Sequence, residues 1–213
     1  MPLQNRVTPL GTVEAVAARG LFTGNRGVIH DPETRTLLRR RWSTRAWIIC
    51  ECDFRGRRRD VMGRNSRYGT AGWTELFFLD EVTALAAGHR PCFYCRRKRA
   101  EAFARAFAEG QGKERISACE MDTLLHGQRR ASGGRPIPVS EGGAPLPDGA
   151  MFEAHGQAFA LRGGKLLPWD FNGYAEPRAP RDVGPEYTLI TPLATVAALR
   201  AGYCPVWHSS AGS

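Results

Sequence analysis

Residues 88–99 read Gly-His-Arg-Pro-Cys-Phe-Tyr-Cys-Arg-Arg-Lys-Arg, and the two thiols three positions apart constrain the chain more than any other stretch. Two residues between thiolates let both sulfurs reach one ion while backbone amides turn toward them, which is the form of a metal knuckle. Upstream, Cys50 and Cys52 lie in the apolar segment 46–54, whose composition predicts a strand with both thiols on one face. A strand sets such thiols about 6 to 7 Å apart, so a bend or bulge is needed for both to reach one tetrahedral ion. Two pairs match the ligand count of a closed zinc site. The expected ligands are therefore Cys92 and Cys95 first and Cys50 next, with the fourth drawn from Cys52, His89 or His30. Buried free cysteines would explain the same residues without a metal, whereas a redox dithiol fits poorly because the pair does not close a strand in a βαβ pattern.

The 213 residues suffice for one sizeable core or two small domains, and 42% hydrophobic with 24% charged is ordinary globular composition. No apolar run approaches the ~20 residues that span a bilayer, and no charged-then-apolar leader opens the chain; a cytoplasmic protein without membrane contact is the expectation. Reducing compartments do not sustain structural cystines, so six cysteines then favour metal binding or free thiols.

The formal net charge of +9 is concentrated. Eleven arginines against three acids lie between Arg35 and Arg67, and Arg90, Arg96, Arg97, Lys98 and Arg99 extend the block around the knuckle. Such a patch is the electrostatic footprint of a phosphate-backbone binder. Arg39, Arg40, Arg41, Arg45, Arg57, Arg58, Arg59, Arg64, Arg67, Arg90, Arg96 and Arg97 are accordingly the expected contacts to nucleic acid. The competing explanation is a solvated basic face in an arginine-biased composition, with 27 Arg to 3 Lys.

Taken in order, the chain predicts an α+β protein: a zinc-stabilised hairpin-plus-helix domain over 1–112, a helix and Gly/Pro-rich linker over 113–149, and a smaller β-rich part over 150–213. A weak helical turn is expected at 13–18. The glycines of 20–27 imply backbone that approaches something closely, although their spacing matches neither nucleotide-binding glycine pattern. A return strand over 58–62 would complete a hairpin with 46–54, and 63–72 would be an exposed loop. Residues 73–79 predict a strand, and Asp80 is a suitable N-cap for a helix that Gly88 ends. A helix over 97–109 carries cations at its positive dipole end, which hints at a bound anion unless carboxylates pair them. The helix over 116–130, with a Ser117–Glu120 capping box, carries Asp122 and His126 four residues apart, close enough to share a proton or a ligand. Strands at 151–153, 157–162 and 165–169, the middle pair joined at Gly163-Gly164, a strand at 187–191 and a helix at 193–201 complete the pattern.

Val82-Thr-Ala-Leu-Ala-Ala-Gly-His-Arg-Pro91 and Val196-Ala-Ala-Leu-Arg-Ala-Gly-Tyr-Cys-Pro205 agree at six of ten positions. Each follows a predicted strand, so one strand-helix-Gly-x-x-Pro unit is used twice. The second copy lacks the thiol pair.

Residues 84–96, Ala-Leu-Ala-Ala-Gly-His-Arg-Pro-Cys-Phe-Tyr-Cys-Arg, with the strand and helix ahead of them, resemble the metal-binding domain of the Ada family of DNA alkylation-repair proteins. The resemblance spans 47–96. It implies a zinc fold contacting DNA phosphates, in which the Cys-x-x-Cys thiols join an upstream pair; in the family one upstream thiolate accepts a methyl group from a methylphosphotriester. Cys92 and Cys95 would take the knuckle role and Cys50 the acceptor role. This chain has one residue, not three, between its upstream thiols, and a longer connecting segment.

Together these readings predict a zinc-containing nucleic-acid-binding protein, DNA before RNA, serving repair or regulation. The alternative is a metal- or thiol-dependent enzyme acting on nucleic acid, a nuclease or repair methyltransferase, with Cys50, Asp122 and His126 as catalytic candidates beside the glycine loop and His30.

Overall fold

The computed structural model describes residues 1–56, 59–139, 145–184 and 186–212. The chain is α+β, as its patterning predicts. Strands β1 (Arg6–Val7), β2 (Val13–Glu14), β3 (Phe22–Asn25), β4 (His30–Asp31), β5 (Thr36–Leu37), β6 (Ile48–Glu51) and β7 (Leu76–Phe78) lead into helix α1 (Glu81–Ala86). The short strand β8 (Arg90–Pro91) then precedes helices α2 (Arg97–Gly110) and α3 (Ala118–Gln128). Strands β9 (Ile137–Val139), β10 (Met151–Ala154), β11 (Gln157–Arg162), β12 (Lys165–Asp170), β13 (Gly173–Tyr174) and β14 (Tyr187–Leu189) follow, and helix α4 (Leu193–Arg200) comes last.

Two six-stranded sheets result, ordered β2-β1-β7-β3-β6-β8 and β13-β12-β11-β10-β14-β9, with β4 and β5 as a separate pair. The second sheet is antiparallel throughout and contains the expected hairpin, Arg162 opposite Lys165 across Gly163-Gly164. In the first sheet β8 runs parallel to β6 at the edge. One buried cluster runs from Val7 through Phe78, Phe103 and Met121 to Leu189 and Tyr203, so the amino-terminal, helical and carboxy-terminal segments meet in a shared interior.

Three expectations change. Residues 13–18 form no helix; Val13 pairs with Val7 as a strand instead. The glycine-rich stretch is strand β3, held between β6 and β7, and a Cβ on Gly24 would lie 2.1 Å from the Ile48 carbonyl oxygen. The close approach the glycines announce is thus strand against strand. No strand forms over 59–62 to complete a hairpin with β6. The Glu75 carboxylate instead gathers Arg59 Nε at 2.7 Å, the Met62 N–H at 2.9 Å and Asn65 Nδ2 at 3.2 Å, wrapping that segment around itself. The remainder of the predicted return strand, Arg58, lies outside the described residues.

Capping follows the sequence. Asp80 Oδ1 accepts from the Thr83 N–H at 2.8 Å, and Ser117 with Glu120 closes the expected box on α3. The repeated unit is also present. The Gly88 N–H bonds to Leu85 O and the His89 N–H to Ala84 O after α1; after α4, Gly202 bonds to Leu199 O and Tyr203 to Ala198 O. Gly88 and Gly202 have φ of +82° and +91°, where only glycine is unstrained.

Candidate metal centre and its cavity

Strand β8 explains how thiols distant in sequence converge. The Arg90 N–H bonds to Trp47 O at 3.0 Å and the Cys92 N–H to Ile49 O at 2.9 Å, which zips the knuckle alongside Cys50. Beyond β8 the chain turns, and the Tyr94 N–H points at Cys92 Sγ, 3.4 Å away. The sulfurs of Cys50, Cys92 and Cys95 all lie within 4.8 Å of one another. A tetrahedral ion with ~2.3 Å bonds to sulfur needs sulfurs about 3.8 Å apart, so a small contraction would seat one. Cys50 and Cys92 are buried and Cys95 is half-buried.

The electrostatics of the group suit a cation. Thiol hydrogen bonds from Cys50 and then Cys95, with backbone amides behind them, hold Cys92 down at about 2. The Cys50 thiol is pushed far up, because it donates to Cys92 and Cys95 and is buried. Three clustered sulfurs with one proton-poor member form a soft donor set that could hold a metal ion.

Cys52 does not join them. It borders the same cavity as Cys50, as strand alternation requires, but is exposed, and its Sγ donates to Leu21 O at 3.5 Å. β6 ends at Glu51, and the bend that follows at Cys52 does not bring a second upstream thiol to the group. His30 sits apart, with Nδ1 2.6 Å from Thr74 Oγ1 and Nε2 3.3 Å from Gly63 O. His89 is buried between the rings of Trp47 and Phe78, and its Nε2 accepts from Arg26 Nε at 3.3 Å. Neither imidazole belongs to the sulfur group.

No protein-family model, curated protein or solved structure matches this chain.

The predicted arginine surface divides. Arg90 and Arg96 are interior: Arg90 makes a bidentate pair with Asp122 at 2.8 Å through both nitrogens. Arg96 bridges Glu51 at 2.9 Å and Glu81 at 2.9 Å, beneath the ring of Phe22. Both guanidiniums serve the fold and face no solvent. Arg59 is bound to Glu75 and stacks on Trp73, Arg64 pairs with Glu33, and Arg97 pairs with Glu101 one helical turn on. Two of the three cations in the first turn of α2, Arg97 and Arg99, therefore meet protein carboxylates. Arg39, Arg40, Arg41, Arg45 and Arg67 are exposed and pair with no carboxylate among the described residues. Arg57 and Arg58 lie outside the described residues.

The catalytic candidates on α3 are separately engaged. Asp122 gives both oxygens to Arg90, while the His126 ring stands edge-on to Trp42, 4.6 Å between centroids. They share no proton, and His30 and the glycine strand belong to other contacts.

Two features escape the sequence reading. Asp80 and Glu81 are fully buried. Asp80 Oδ2 accepts from Tyr174 Oη at 2.9 Å and the His208 N–H at 3.1 Å; Glu81 accepts from Arg96, Arg99, Tyr203 Oη and the Val206 N–H. Two adjacent acids opening an otherwise apolar helix are the available signal. Second, Arg26 and Arg129 lie over the ring of Trp47, 4.0 and 4.3 Å from its centroid, with His89 beside it. Burial holds both guanidiniums down at about 9.

The sulfurs open onto a cavity of about 460 Å³. Ile48, Val61, Phe54, Phe77, Trp73 and Tyr94 supply much of its wall, with Thr23, Asn25 and the Arg59–Glu75 pair among its polar members. Arg55 lies over the rings of Phe54 and Tyr94, 5.1 and 5.8 Å from their centroids, at the exposed side.

Proposed function

We propose that the chain is a zinc-containing protein that binds nucleic acid, DNA before RNA, through exposed arginines, in a repair or regulatory role. The observation that carries this reading is the three-cysteine group at the base of a cavity bordered by arginines and aromatic rings, since phosphate contacts and stacking platforms are what a nucleic-acid surface needs. Cys50, Cys92 and Cys95 would hold the ion. Zinc would keep their sulfurs deprotonated at neutral pH and polarise whatever occupies the fourth position. Arg39, Arg40, Arg41 and Arg45 in one segment, and Arg55, Arg64 and Arg67 in another, would meet phosphates. Arg90 and Arg96 would contribute by fixing the knuckle to β6, α1 and α3. The resemblance of 84–96 to Ada domains agrees with both the metal and the DNA.

One observation favours a second reading, an enzyme acting on nucleic acid. Structural zinc sites close with four protein ligands, whereas catalytic sites keep three and leave a position open. Among the described residues three sulfurs group here, and they face a cavity. Asp122 and His126 play no part in this reading; Cys50 remains its nucleophile candidate.

The test measures zinc by mass spectrometry and oligonucleotide binding by fluorescence anisotropy over a salt series. One zinc per chain is expected, with a log-log salt slope near −4.5 for about five phosphates neutralised on duplex DNA. Absence of binding at low salt refutes the nucleic-acid reading, and absence of metal refutes the zinc centre.

A further inference from the structure

The cavity above the three sulfurs has walls that are chemically almost complete. Glu75 is consumed by Arg59, the Met62 N–H and Asn65; Glu51 is held by Arg96; the Thr23 hydroxyl donates to Leu76 O at 2.9 Å. What these residues leave facing the space is ring and aliphatic surface from Phe54, Trp73, Phe77 and Ile48. Asn25 gives its Oδ1 to the Gly27 N–H at 3.1 Å, and its amide NH2 bonds to no described residue, which leaves it for an acceptor in the cavity; Glu51 Oε2 and the terminal guanidinium nitrogens of Arg59 likewise have no hydrogen bond among the described residues. Arg55, which pairs with no carboxylate among the described residues, lies on Phe54 and Tyr94 at the exposed side.

That distribution selects an occupant. Three thiolates around a divalent ion leave one negative charge at the floor, so an anionic group is kept away from the sulfurs and drawn to Arg55. The part that enters must be neutral, flat enough to lie on aromatic rings, and equipped with an acceptor for Asn25. A volume of about 460 Å³ is within the ordinary range for a small planar ligand. A purely apolar ligand would leave Asn25 and Arg55 without a role, and a carboxylate would be repelled from the floor. We propose that this cavity receives one nucleobase, its edge toward Asn25 and the three cysteines and its phosphate at Arg55. The inference rests on the nucleic-acid reading above and extends it by assigning the site where a base, as opposed to the backbone, is held. The shared chemistry is a nucleotide, which a strand with an unstacked base or a free nucleotide can supply.

The experiment uses the full chain with cobalt(II) in place of zinc, whose visible d–d band reports on the surroundings of the sulfurs. A short single-stranded oligonucleotide, the same strand with an abasic centre, and the nucleoside monophosphates are titrated, following anisotropy or tryptophan fluorescence together with the band. The intact strand is expected to bind about tenfold more tightly than the abasic strand and to move the band, while the abasic strand binds with the same salt slope and leaves the band in place. Trp73→Ala and, independently, Phe54→Ala should erase the preference for the intact strand without changing abasic affinity; Phe54 is the safer position because Trp73 also carries Arg59. A band moved at lower concentration by the monophosphates than by the strand assigns a free nucleotide as occupant; the reverse order assigns a base within a strand. Equal binding of intact and abasic strands with an unmoved band overturns the cavity proposal and leaves the nucleic-acid reading intact. A band moved by monophosphates when no strand binds keeps the cavity and removes the surface reading. No response to any of them overturns both.

Discussion

Replacing Glu81 should unfold the protein more readily than any surface change, because one carboxylate with no solvent access collects four donors from two other parts of the chain. Arg96 Nη1 lies at 2.9 Å, Arg99 Nη2 at 2.8 Å, Tyr203 Oη at 2.7 Å and the Val206 N–H at 2.8 Å. Removing one partner of a buried ion pair costs about 3 to 5 kcal/mol, chiefly by stranding the other charge. Arg96 keeps Glu51, which is partly exposed, and Arg99 is itself about one-third exposed, so the lower half of that range applies to the ion pairs. The Tyr203 hydroxyl and the Val206 amide add two hydrogen bonds to a charged acceptor. Glu81→Ala is therefore expected to lose about 4 kcal/mol of a stability near 5 to 15 kcal/mol. At about 2 to 4 °C per kcal/mol for a chain of this size, the midpoint should fall by roughly 8 to 16 °C. Glu81→Gln keeps the shape and one acceptor oxygen and should lose about half as much. Urea unfolding followed by tryptophan fluorescence and circular dichroism measures both, with an unchanged m-value as the sign that only stability moved. An alanine variant within about 1 kcal/mol of the parent would refute the assignment of Glu81 as the hub.

Three further outcomes are expected. Cys50→Ser, Cys92→Ser and Cys95→Ser should each lose the metal while Cys52→Ser retains it, measured by mass spectrometry of the purified proteins; loss in Cys52→Ser would place that thiol among the ligands. His89 is held well below its usual pKa by burial and then by the charges of Arg26 and Arg129, so it folds neutral. The unfolded chain gains a proton that the folded chain refuses as pH falls through about 6.5, and stability should drop by about 1.4 kcal/mol per pH unit below that point. His89→Phe should remove that slope, and equal slopes in both proteins would sink the argument. Arg67→Ala should weaken oligonucleotide binding modestly and reduce the salt slope by about 1, whereas Arg90→Ala should leave the slope alone and destabilise by about 3 kcal/mol through the stranded Asp122; the reverse pattern would contradict the division of the arginines.

What the sequence disclosed is what short-range chemistry specifies. The Cys-x-x-Cys turn, the Asp80 cap, the Ser117–Glu120 box and the Gly163-Gly164 hairpin depend on neighbours within a few residues, and each is present. Cys50 was readable as a ligand because alternation fixes its face, but Cys52 shares that face and not that site. Membership was decided by β8, whose parallel pairing places Cys92 beside Ile49 and so nearest Cys50. A two-residue strand has no sequence signature of its own. Arg90 and Arg96 depart from the expected surface for a different reason. Charge counting treats all guanidiniums alike, yet Arg90 and Arg96 are neutralised by Asp122, Glu51 and Glu81, partners 15 to 45 residues away. The glycines of β3 do mark a close approach, although the approaching atoms belong to the chain itself.

The repeated unit ties these observations together. Both copies end in the same pair of turn hydrogen bonds over a left-handed glycine, and both turn toward a Pro at the same position. After the first, the chain presents Cys92 and Cys95 to Cys50. After the second, the equivalent backbone presents the Val206 amide to Glu81 and the His208 amide to Asp80, at 2.8 and 3.1 Å. The first turn thus organises thiols around a place for a cation, and the second organises amides around two anions at the start of the first copy's helix. This gives a physical reason for the missing thiols in the second copy: its partner is a pair of buried carboxylates, which thiolates would repel and backbone N–H groups satisfy. Arg96 joins the two halves of that arrangement. It directly follows Cys95 and binds both Glu51, the neighbour of Cys50, and Glu81, the acceptor of the second copy. Stability of the carboxy-terminal unit and geometry of the sulfur group are therefore coupled through one side chain. Arg96→Ala should lower both the unfolding midpoint and the metal affinity, whereas an uncoupled pair of sites would lose only one.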